Sequence, residues 1–212
     1  MMSMRLLAII ATGIAIPLSF IGADYPNELV LQHVPTVAGV AMLVIAVVRF
    51  HPSSLSLGCC IAFLWLHLIG ARWIYSYVPY DEAMQFLTGH TLSDLFDWRR
   101  NHYDRLVHFA SGCLGVPPLS EFLQVFCRAT PLAGACLAVV CVLAIGAAYE
   151  VIEWQIAMTF SPAMAESYNG QQGDIWDAQK DLALAWIGAM IALPFFYRWE
   201  PSSISNSAIS MQ

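Results

Sequence analysis

Charge is scarce in this sequence. Asp, Glu, Lys and Arg make up 11% of its 212 residues, where a soluble domain carries about 25%. Hydrophobic residues make up 58%. That balance excludes a water-soluble globule. It also excludes a disordered chain, which is poor in apolar residues and rich in charge. Basic residues are the scarcer sign, nine Lys and Arg against fifteen Asp and Glu, for a net charge of −6. No nucleic-acid partner is therefore expected, because such partners need a basic face. The six cysteines, at 59, 60, 113, 127, 136 and 141, form no C-x-x-C pair. A zinc knuckle or disulfide framework is excluded on that spacing, and the thiols read as small buried hydrophobes. No internal repeat is visible, which weighs against the inverted-repeat transporter plan.

Long uncharged runs are abundant. Residues 6–23, 29–48, 52–71, 106–120, 129–149 and 182–197 contain no Asp, Glu, Lys or Arg. A span needs about 20 mostly apolar residues, and helices satisfy their own backbone in lipid. The runs predict an all-α polytopic bundle, a single membrane domain over residues 1–200. Its six helices are expected near 6–23, 29–48, 55–78, 105–127, 130–153 and 176–198, followed by a disordered Ser-rich tail at 201–212. The partner is the lipid bilayer. An uncleaved first span is expected, although Ile21-Gly22-Ala23 offers a weak cleavage site. Pro117-Pro118 is expected to kink or break the fourth span. A short helix is expected near residues 81–87, within the long connection 79–103.

With the amino terminus inside, short cytoplasmic segments carry Arg5, Arg49, Arg128 and Arg198 with few acids. The opposite side carries Arg99, Arg100, Arg105 and Lys180, mixed with Asp97 and Asp104. The raw count is even, and the short basic inner segments favour amino and carboxyl termini both inside.

Polar residues at span edges form a pattern. Asp104 and His108 are four apart at the start of the fourth span. Glu150 and Glu153 are three apart at the end of the fifth. Asp174, Asp177 and Asp181 lie along one stripe at the start of the sixth. Alternating chain direction brings these ends, and His67 and Arg72 late in the third span, to one face of the membrane. Carboxylates gathered closely cannot all stay ionised without a cation or shared protons. A divalent metal fits, held by His108, Glu150, Asp174 and Asp177, with Glu153, Asp181 or Asp104 as base or supporting group. Blander readings stay open for each. Asp174 and Asp177 could cap a helix. Glu150 and Glu153 could sit in water or pair with Arg72 or Arg105. His108 and His67 could be hydrogen-bonded bundle histidines. Trp residues near span ends read as an interfacial belt.

Asn101-His102-Tyr103-Asp104-Arg105 with His108-Phe109, Tyr149-Glu150 with Glu153-Trp154, and Gln172-Gly173-Asp174 with Trp176-Asp177, Gln179 and Asp181 together resemble the YjdF-like family of bacterial inner-membrane proteins. His67-Leu68-Ile69-Gly70-Ala71 fits the same pattern. Val107, Ser111 and Leu182 depart from it mildly and leave every acidic position intact. The resemblance covers roughly residues 30–198. It implies an inner-membrane location and several spans, and it supplies no reaction. A fainter likeness, through the D-x-x-D helix start, is to VanZ-like membrane proteins.

Three functions stay open on the sequence. One is a metal-dependent, membrane-embedded hydrolase of a lipid-like substrate. Another is a carrier of a cation, proton or small solute, which requires the polar set to continue across the bilayer, with Glu121 its main candidate in the inner half. The third is a non-catalytic assembly partner whose acids bridge to Arg72, Arg99 and Arg105.

Overall fold

The computed structural model describes residues 4–159 and 170–201. Apart from Pro201, the expected disordered tail lies outside the described residues. Among them the chain is all helical: α1 (Met4–Ser19), α2 (Pro26–Arg49), α3 (Ser54–Arg72), α4 (Tyr80–Thr88), α5 (Leu92–Phe96), α6 (Tyr103–Phe126), α7 (Pro131–Thr159) and α8 (Asp177–Phe196). Helices α2, α3 and α7 are long and apolar enough to cross a membrane, and α1 is a shorter apolar helix. Helices α6 and α8 open with charged residues. At about 1.5 Å per residue, the 29 residues of α7 extend about 43 Å.

Chain direction alternates. At one end Arg5 of α1 donates to the Pro52 carbonyl at 2.9 Å, just before α3. Phe50, after α2, packs edge-on against Phe126 of α6 with ring centroids 5.0 Å apart. Glu121, near the end of α6, accepts from the Ser53 amide at 2.8 Å and from the Ser53 hydroxyl at 2.6 Å. That carboxylate therefore secures the residue that caps α3.

The core is a three-helix packing of α6, α7 and α8. Val116, Ala138, Val139, Val142, Ala185, Ala189 and Ala192 are buried there. Small residues let backbones approach, as membrane helices require in the absence of a hydrophobic drive between them. A Cβ on Gly112 would strike the Ala185 carbonyl, and one on Gly188 would strike the Phe109 carbonyl. Pro117 and Pro118 sit inside an unbroken α6, and Pro117 is fully buried. Of the expected kink or break, the break does not occur, because packed neighbours re-satisfy the backbone around a proline inside a membrane helix.

Helices α1, α2 and α3 form a second group joined to the first through α3 and α6. Its interior is a polar seam. His67 Nδ1 lies 2.5 Å from the Tyr75 hydroxyl, and His67 Nε2 lies 2.8 Å from Thr36 Oγ1 and 3.0 Å from the Gln32 carbonyl. His33 bonds Ser19 at 2.7 Å. His67 is thus a bundle histidine, the blander of its two readings.

Helix α3 closes at Arg72, short of the expected residue 78. Ile74 and Tyr75 adopt φ of 42° and 58°, a region L-residues avoid. Tyr75 folds back over Gly70, where a Cβ would meet its ring at 2.6 Å. The bond to His67 and the missing Cβ at Gly70 make that reversal the favoured path. A short helix stands where one was expected, as α4. A second, α5, forms within the polar stretch 88–97, where Thr91 caps it by accepting from the Asp94 amide at 2.9 Å.

Overpacking a core costs roughly 1–3 kcal/mol, and the neighbours of Gly188 are backbone atoms that cannot yield. Gly188→Val should lower the thermal melting temperature of the purified protein by several degrees or abolish folding. Gly58→Ala, inside α3 with nothing within 4 Å of the new Cβ, should hold or raise the melting temperature, since Ala is favoured over Gly in a helix by about 1 kcal/mol.

Candidate functional site

The first turns of α6 and α8 and the last third of α7 lie at one end of the bundle, and their polar residues meet in two layers. The outer layer is a set of clamped aspartates. Arg105 Nη2 lies 2.6 Å from Asp177 Oδ1 and 3.0 Å from Asp174 Oδ2, while Nη1 lies 2.9 Å from Asp181 Oδ1. Arg105 Nη1 also donates to the Asp177 carbonyl at 3.1 Å. Arg100 adds a second guanidinium, 2.6 Å from Asp177 Oδ1, and donates to the Gly170 and Gln171 carbonyls at 3.1 and 3.0 Å. Lys180 Nζ reaches Asp174 at 2.6 Å. Beside them Asn101 and Gln172 exchange bonds: the Asn101 amide donates to Gln172 Oε1 at 2.8 Å, and Gln172 Nε2 donates to the Asn101 carbonyl at 3.1 Å. The motif before α6 and the motif before α8 are two halves of one contact.

Burial gives that contact weight. Arg105 is 8% exposed and Asp181 2%. A buried pair whose partner is removed leaves an uncompensated charge, at a cost of about 3–5 kcal/mol.

The inner layer is acid-rich. His108 Nε2 stands 3.6 Å from Asp104 Oδ1 and 3.9 Å from Glu150 Oε1. Asp104, His108 and Asp181 each offer a ligand atom, all within 4.8 Å of one another. Glu150 Oε1 is buried and has no hydrogen-bond partner. Glu153, one turn along, feels the fields of Asp104, Glu150 and Asp181. Six carboxylates from α6, α7 and the start of α8 thus face three fixed cations, Arg100, Arg105 and Lys180. The excess of negative charge has to be balanced by protons or by a bound cation.

All seven residues singled out as ligands or bases therefore lie at this end, in a division that the sequence does not reveal. Asp174 and Asp177 are engaged by arginine and lysine. Asp104 and Asp181 stand beside His108, with Glu150 next to them. The Arg100–Asp177 pair and the Asn101–Gln172 exchange escape sequence reasoning, because they join residues more than 70 positions apart from outside any helical repeat. Arg72 is occupied elsewhere. It donates to the Ile21 and Gly22 carbonyls at 3.3 and 2.6 Å and lies over the Trp73 ring at 5.3 Å.

At this site two groups outside the long helices are shifted. The Lys180 ammonium, with help from the Trp176 amide, holds the Asp174 carboxyl below its usual range. Burial, then the neighbouring Arg100, Arg105 and Lys180, push His102 below the usual imidazole value.

Arg105→Met should destabilise the folded protein by about 3–5 kcal/mol, read as a lowered melting temperature. For Asp174, a lowered folded-state value favours the ionised form in the folded protein. Its contribution is complete above the ordinary Asp value of about 3.9 and is lost as pH falls through the lowered one. Stability should fall on acidification below about pH 4, and Asp174→Asn should remove that part of the fall. An unchanged acid profile in Asp174→Asn would contradict the assignment.

A family model described as "Predicted membrane protein (DUF2238)" matches residues 4–202. The chain is 31% identical over 176 residues to the inner membrane protein YjdF of Escherichia coli (strain K12), covering 80% of this chain and 78% of that protein. No solved structure matches. With a helical bundle, three apolar helices of spanning length and a family model that matches nearly the whole chain, the chain belongs to the DUF2238 family of membrane proteins.

Proposed function

We propose that the acid-rich end of the bundle is a divalent-metal site of a membrane-embedded hydrolase acting on an ester or phosphoester of a lipid-like substrate. The observation that carries this reading is the approach of Asp104, His108 and Asp181, whose ligand atoms lie within 4.8 Å of one another. One imidazole nitrogen with carboxylate oxygens suits zinc, manganese or iron. Glu150, with its unpartnered buried oxygen, is the fourth donor. A cation held there would supply a nucleophilic water at neutral pH and would polarise the scissile oxygen. Glu153 is the general base. Arg105, bonded to Asp181, orients that ligand. Asp174 and Asp177 support the ligands through Arg105 and do not bind the ion. With the amino terminus inside the cell, the site faces outward.

Two observations weigh against a carrier. The polar set gives way to the apolar cluster of Val116, Val139, Val142 and the small residues around them. Glu121, the inner carboxylate, is engaged with Ser53. The arginine clamp favours a second reading, an assembly protein whose charges are structural. That reading requires the folded protein to bind no metal, and it requires paired charge reversal at Arg100 and Asp177 to restore what each single reversal loses.

Elemental analysis of detergent-purified protein tests the proposal. About one divalent ion per chain is expected, lost in His108→Ala and Asp181→Asn variants that still fold, and retained in Asp97→Asn. Folded wild-type protein without metal would overturn the reading.

A further inference from the structure

The connection between α3 and α6 carries an apolar surface that the bundle does not use. Helix α4 is two-sided. At 3.6 residues per turn, Tyr80, Ala83, Met84, Phe86 and Leu87 lie on one side, and Asp81, Glu82, Gln85 and Thr88 lie on the other, with Glu82 next to Phe86 at the boundary. The Asp81 carboxylate accepts from the Ser93 amide at 3.1 Å and from the Ser93 hydroxyl at 2.5 Å. That bond draws α5 to the polar side of α4 and makes the two a hairpin. Their substantial packing is with each other. Four large apolar side chains are left outside: Phe86 is 89% exposed, Leu87 74%, and Leu95 and Phe96 60% each. In water that arrangement is costly, since each such side chain is worth about 1.5–3 kcal/mol on full burial.

The base of the hairpin is fixed. Asn101 Nδ2 donates to the Val78 carbonyl at 2.9 Å, and the His102 amide donates to the Tyr80 hydroxyl at 2.8 Å. The hairpin therefore leaves the bundle at the first turn of α6, beside the end of α3. Tyr77, at 56% exposure, and Ile69 near the end of α3, at 39%, add exposed apolar area close to that base. Residues 80–97 hold Asp81, Glu82, Asp94 and Asp97 and no Lys or Arg. An anionic headgroup or an acidic partner is repelled by that charge, and the apolar area alone is the attraction.

We infer that α4 and α5 form an interfacial hairpin that lies on the bilayer beside the charged site, with Phe86, Leu87, Leu95 and Phe96 sunk into a zwitterionic lipid surface. The inference does not depend on whether a metal binds.

Single cysteines test it. Full-length protein carrying Leu87→Cys or Gln85→Cys is reconstituted into phosphatidylcholine vesicles and exposed to a membrane-impermeant maleimide. Trypsin then cuts after Arg72 and Arg99, and the intervening fragment contains no other cysteine. Both positions share one hairpin, so mixed orientation in the vesicles affects them equally. Labelling at 87 should be about tenfold slower than at 85. The difference should hold at every protein-to-lipid ratio and should vanish in sodium dodecyl sulfate. Equal rates in vesicles would overturn the inference and leave the hairpin in water. Protection at 87 that disappears as protein is diluted in lipid would also overturn it, in favour of a second copy as the covering surface. The Phe86→Cys and Thr88→Cys pair repeats the comparison should either first variant fail to fold.

Discussion

Arg105 holds three aspartates, and the rest of the charged end is arranged around that fact. A guanidinium keeps its charge at any pH a protein meets. Placed at 8% exposure inside a helical bundle, it needs carboxylates close by on several sides. Asp174, Asp177 and Asp181 supply them. Because all three come from the start of α8 or just before it, satisfying one cation fixes where α8 begins and how its first turns face α6. The small residues at Gly112 and Gly188 then let the two helices close below this point. Electrostatics sets the register at one end, and close packing of small residues carries it along the pair.

The same arrangement leaves a remainder. Arg100, Arg105 and Lys180 compensate one side of the aspartate stripe, and the other side faces Asp104, His108, Glu150 and Glu153. Nothing among the described residues bonds the Glu150 Oε1 oxygen. A network built only for stability would be stronger with apolar groups at such positions. An excess of buried acid next to a histidine is what a cation-binding site requires, and Arg105 fixes the place of Asp181 beside that histidine.

Much of the fold is legible in the sequence, because lipid imposes a simple rule. The uncharged runs mark the helices, and alternating direction puts Asp104, Glu150 and Asp181 at one end. The double proline of α6 and the end of α3 are less legible. Apolar character continues past Arg72, and only the Tyr75–His67 bond over Gly70 shows why the helix stops there. The division of the acids is hidden for a related reason. Asp174, Asp177 and Asp181 share one helical stripe, yet two are claimed mainly by Arg100, Arg105 and Lys180 while the third also faces His108. Arg100 precedes its helix, so no periodicity exposes its role. Helix α5 is masked by its polar composition and rests on a cap at Thr91 and a bond from Ser93 to Asp81.

The proposed cation site in the acid-rich layer combines one imidazole with several carboxylates. X-ray absorption spectroscopy at the edge of the metal carried by the purified protein reads that shell directly. The account predicts one nitrogen scatterer from His108 and three or more oxygens, with the nitrogen lost in His108→Gln. A shell of oxygen alone in the wild type, unchanged by His108→Gln, or one containing sulfur, would contradict it.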